Sequence, residues 1–110
     1  MSAIDLEDKD IVAEEKDGNV IISFNGNLPS NYIRKTINVS VSKLEAFPSD
    51  IEIETDSENK TITIKNVTLN NGGYGVVVKY EVILTKVNPL NETDDIGTAS
   101  NEITKLIFVG

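Results

Sequence analysis

In the stretch YIRKTINVSVSKL, Ile33, Ile37, Val39 and Val41 fall on one parity, and Arg34, Thr36, Asn38, Ser40 and Ser42 on the other. A two-residue period marks a strand with one buried face, because successive Cβ atoms point to opposite sides of a pleat. The pattern recurs where Ile51, Ile53 and Thr55 alternate with Glu52, Glu54 and Asp56. Further on, Tyr74, Val76, Val78, Tyr80, Val82 and Leu84 line one side of a long strand whose other side is Val77, Lys79, Glu81, Ile83 and Thr85. Two usable faces predict a central strand. The apolar inventory agrees, since hydrophobic residues make up 39% but aromatics only 5%, with no Trp. The core must therefore be built from Ile, Val and Leu, and β-branched side chains, stiff at χ1, suit a pleated surface better than a helix.

Turn chemistry divides these runs. Asp17-Gly18 separates IVAEEK from NVIISF, and the dipeptide favours a two-residue type I′ turn because both of its positions take positive φ. Residues 11–16 and 19–24 are thus expected to form a hairpin. The loop NGNLPSN follows, then a turn at DSENK ahead of TITIKNVTL, and another expected turn at NNGGYG. Residues 86–100 read as a long acidic connection before the last strand. About seven strands with no helical period predict an all-β fold, an antiparallel β-sandwich with Ig-like or Greek-key connections. With 110 residues the chain suits a single domain, assigned to residues 11–110. Residues 1–10 are expected to form an acidic, flexible N-terminal arm.

Charge and missing residue types exclude much chemistry. The formal charge is −8, which disfavours nucleic acid and anionic membranes, both of which are bound by neutralising phosphate. Residues 1–17 hold seven acidic residues against two lysines, so five of the eight excess negative charges lie there. The chain has no His and no Cys, which removes zinc sites, disulfides, catalytic triads and the commonest general base. The carboxylates mostly alternate outward on strands or lie in loops, so no enzyme activity and no cofactor are expected. No apolar run approaches the roughly 20 residues of a membrane span, and no membrane insertion is expected. Two acidic clusters supply oxygen ligands for calcium: Asp5, Asp8 and Asp10 in DLEDKD, and Glu92, Asp94 and Asp95 in NETDD. Neither has the register of an EF-hand loop.

The segment TLNNGGYGVVVKYEVILT followed by DIGTASNEIT resembles the layout of prokaryotic surface and fimbrial Ig-like β-sandwich repeat domains of the isopeptide-forming type. There a glycine turn leads to a strand of the form V-x-V-x-Y-x-V, and Gly-x-x-x-Asn opens the final strand. AFPSDIEIE is similar to a segment preceding the middle strands of such domains, which extends the resemblance over about residues 46–108. It implies Asn101 as the amide acceptor of an isopeptide, Lys35 or Lys43 as the amine donor, and Glu81 as the acid. It also implies a non-catalytic structural or adhesion module, extracellular or on a cell surface, whose partners are neighbouring protein domains or subunits. The alternative expectation is an Ig-like structural component of a phage or virus particle, such as a tail or decoration protein.

Overall fold

Asp17 and Gly18 take φ of 53° and 79°, the values a type I′ turn requires, and they join strands β1 (Ile11–Lys16) and β2 (Asn19–Phe24). The computed structural model describes residues 4–110. Five further strands follow: β3 (Arg34–Lys43), β4 (Ile53–Asp56), β5 (Thr61–Ile64), β6 (Leu69–Asn88) and β7 (Asn91–Val109). They form two antiparallel sheets, one of order β1-β2-β5-β4 and one of order β3-β6-β7. This is the strand order of a constant-type immunoglobulin sandwich, without its disulfide or buried Trp.

The core lies between the sheets. Val20, Ile22, Ile62 and Ile64 of the first sheet meet Val76, Val78, Tyr80, Ile107 and Val109 of the second. Strand β6 is central in its sheet, as its two usable faces predict, and its inward row from Val76 to Leu84 is almost wholly buried. Tyr80 packs against Phe24 with ring centroids 5.4 Å apart. Its hydroxyl donates to the carbonyl oxygen of Lys60 at 2.6 Å, with that of Ile22 at 3.5 Å.

Two expectations are corrected. NNGGYG does not end a strand: it belongs to β6, where Leu69 and Tyr74 both pair with Val109 and the residues between are extruded as a bulge. The Asn70 Oδ1 accepts from the Gly72 N–H at 3.0 Å, closing the bulge on itself. At its base Gly73 runs so close to β7 that an added Cβ would sit 2.2 Å from the Val109 carbonyl oxygen. Residues 86–100 are likewise paired strand rather than connection, because β6 continues to Asn88 and β7 begins at Asn91. The result is a hairpin arm reaching past the sandwich, which makes the molecule 52 Å long against 27 and 24 Å in its other dimensions.

Residues 4–10 close the side of the sandwich between β1 and β7. Ile4 is fully buried in a second cluster with Val82 and Leu84, which Leu6, Leu28 and Tyr32 flank. A short 3₁₀ turn at Asp8–Asp10 follows. In it Asp10, itself buried, accepts the Glu7 backbone N–H at 2.8 Å.

Candidate functional site

Asn101 lies on β7 opposite Val82, so its side chain faces the interior with those of Ile103 and Lys105. That orientation brings it to the N-terminal segment. Its Nδ2 donates to the carbonyl oxygen of Ile4 at 2.8 Å, and its Oδ1 accepts the Glu102 N–H at 2.9 Å. Four residues along the same face, the Lys105 Nζ donates to the carbonyl oxygens of Asp8 at 3.1 Å and Ile11 at 3.0 Å. Two inward polar side chains of one strand thus satisfy main-chain carbonyls of residues 4–11. A buried carbonyl without such a partner is costly.

The structure does not assemble the residues that the isopeptide resemblance implies. Lys35 and Lys43 pair with Leu84 and Val76, on the inward parity expected, but both stand at sheet ends and are exposed. Lys43 instead places its Nζ 5.5 Å from the centre of the Phe47 ring. Strand β6 separates β3 from β7, so Lys35 and Asn101 stand at least two strand spacings apart, roughly 10 Å. Glu81 lies on the outer face of the sheet, where its Oε1 accepts from the Asn38 Nδ2 at 3.0 Å. The amine, the amide and the acid are on three strands and two faces.

The acidic clusters are dispersed in a similar way. Asp5 is exposed, Asp8 offers its main-chain oxygen to Lys105, and Asp10 turns back on Glu7. On the arm Arg34 binds Asp95 at 3.0 Å and the Glu92 carbonyl oxygen at 3.4 Å, while Asn88 donates to Asp94 at 3.3 Å. Among the described residues no three acidic side chains converge as metal ligands. A shallow recess at the β4–β5 turn is lined by Glu54, Asp56, Glu58, Thr61 and Thr63. Within it the backbone N–H of Asn59 holds the Asp56 carboxyl below its ordinary range, which makes Asp56 the organiser of a tight turn.

Lys105, Arg34 and Leu90 were not singled out from the sequence. Lys105 carries a legible signal, since it shares the parity of Ile103, Ile107 and Val109. The arm has none, because its pairing depends on the register of β6 with β7. At its tip Leu90 is 95% exposed, and Ile96 and Ile33 near its base are also open to solvent. No family model matches the chain, and no curated protein or solved structure shows significant similarity to it.

Proposed function

We propose that the protein is a non-catalytic structural or adhesion module of a cell-surface or fimbrial assembly, and that the β6–β7 arm is the part that meets a neighbouring domain or subunit. The projecting arm carries this reading. A two-stranded hairpin is marginally stable by itself in water, yet this one extends beyond the core and presents Leu90 at its tip. An element of that shape gains stability by docking. The sandwich behind it supplies a rigid base, with three-stranded pairing along β3, β6 and β7 that resists separation by the additive strength of its ladder bonds.

The same arm suits a second reading, an Ig-like tail or decoration component of a phage or virus particle, where short domains reach across to neighbours. Fractionation of the producing cells with antibodies to the protein separates the two. Recovery in the surface fraction supports the module of a surface assembly, whereas co-sedimentation with particles supports the second reading. Recovery as free monomer in the soluble interior overturns both. A Leu90→Ser variant is expected to keep its melting temperature and to lose incorporation into the assembly.

A further inference from the structure

The chain contains two Asn-Gly steps, Asn25-Gly26 and Asn71-Gly72. At such a step the following amide nitrogen is unhindered by a side chain and can reach the asparagine carboxamide. The fold treats the two steps differently. In the β6 bulge the Gly72 N–H already donates to the Asn70 Oδ1 at 3.0 Å, so that bond must break before the nitrogen can attack. Past the end of β2, no hydrogen bond among the described residues engages the Gly26 N–H or the Asn25 carboxamide, and Asn25 is exposed. Gly26 rests against the Phe24 ring, where an added Cβ would lie 2.3 Å from Cζ. The Asn25 N–H donates to the Asp10 carbonyl oxygen at 2.7 Å.

We propose that Asn25 is a site of spontaneous covalent modification, converting through a cyclic imide to isoaspartate, and that Asn70 protects Asn71 from the same reaction. The Gly26 nitrogen gives its proton to hydroxide and attacks the Asn25 Cγ. An N–Cγ bond forms, the Cγ–Nδ2 bond breaks, and ammonia leaves with a proton taken from water. Water then adds to one of the two imide carbonyl carbons and cleaves its bond to nitrogen. Opening on one side restores a normal aspartyl link, and opening on the other leaves the main chain running through the former side chain. The isoaspartyl product lengthens the backbone by one methylene between Phe24 and Gly26. That moves Gly26 relative to the Phe24 ring and pulls on the bond to Asp10, which anchors the N-terminal segment where it enters β1. The modification therefore weakens the closure between β1 and β7, and it adds one negative charge to an acidic chain.

The test uses the folded protein held at mildly alkaline pH, sampled over days and digested with trypsin. Fragment 17–34 carries Asn25 and fragment 66–79 carries Asn71, and fragment-ion masses assign the converted residue within each. Isoaspartyl methyltransferase labelling distinguishes isoaspartate from aspartate. Asn25 is expected to convert about two- to tenfold faster than Asn71, the factor set by first releasing one exposed hydrogen bond. In urea the two rates are expected to come together. Asn70→Ala should raise conversion at Asn71 by a similar factor while leaving Asn25 unchanged, and Asn25→Gln should abolish the signal at position 25. Absence of conversion at Asn25 in the folded protein, equal rates at the two steps, or no effect of Asn70→Ala overturns the proposal.

Discussion

Tyr80 ties the two sheets together through one polar atom. Its ring is buried on β6, and its hydroxyl reaches Lys60, just ahead of β5 in the opposite sheet. Tyr80→Phe leaves that carbonyl without its donor and is expected to cost about 1 to 3 kcal/mol, read as a lower urea midpoint. Burial also raises the Tyr80 hydroxyl from its ordinary 10.0 to about 12. The folded state then keeps a proton that the unfolded chain loses. The stability contributed by this group is fully present below pH 10 and is lost as pH rises from 10 to 12. The difference between wild type and Tyr80→Phe should narrow across that window, and a constant difference would refute the assignment. Asn101 makes the complementary case on β7. Asn101→Ala is expected to lower stability by about 1 kcal/mol and to speed hydrogen exchange and proteolysis within residues 4–10. The parity of Asn101 with Ile103 and Ile107 shows in the sequence and makes its inward orientation legible. Its partner, the main chain of Ile4, lies ninety-seven residues away, and no local pattern points there.

Among the elements, the two long strands are where local reading and structure diverge. NNGGYG holds the residue types of a turn, and the first strand of the last hairpin nonetheless runs through it as a bulge. Its ends are pinned from outside by β7, with Leu69 and Tyr74 sharing one partner. Gly73→Ala is expected to destabilise by more than about 2 kcal/mol, because the added methyl meets main chain rather than a movable side chain. A melting temperature close to wild type would contradict so close an approach of the strands. The arm was hidden for a different reason. Val87 is buried at its base, but over residues 89–96 both faces meet water, so no apolar parity marks the arm, and irregular register around Lys86 to Asn88 breaks what alternation there is. Arg34 reaches from β3 to Asp95 and Glu92 on this arm. Exposed pairs contribute little, so Arg34→Ala should change global stability by less than about 1 kcal/mol. It should, however, raise amide exchange in residues 91–98, and unaltered protection there would show that the arm holds without this bridge.

At the scale of the whole molecule the formal charge of −8 acts on a small elongated body. The ion pairs of the described residues, such as Lys65 with Glu54 at 2.9 Å and Lys79 with Glu102 at 4.0 Å, are partly exposed and offset little of the repulsion. Raising salt to about 1 M, where the screening length is roughly 3 Å, should therefore raise the melting temperature. A fall would mean that attractive pairs outweigh the net repulsion. The sequence alone determined that the chain is a β protein, where most strands lie, the type of the first turn and which side of each regular strand is apolar. These follow from a two-residue period and from glycine and proline chemistry, which act between near neighbours. Only the tertiary structure decided that β6 stands between β3 and β7, that the last two strands extend into an arm, and that Lys105 and Asn101 hold residues 4–11. Parity states which face a side chain takes, not which strand lies beside it. Sheet order comes from packing two faces around one core, and that same order sets Lys35, Glu81 and Asn101 apart.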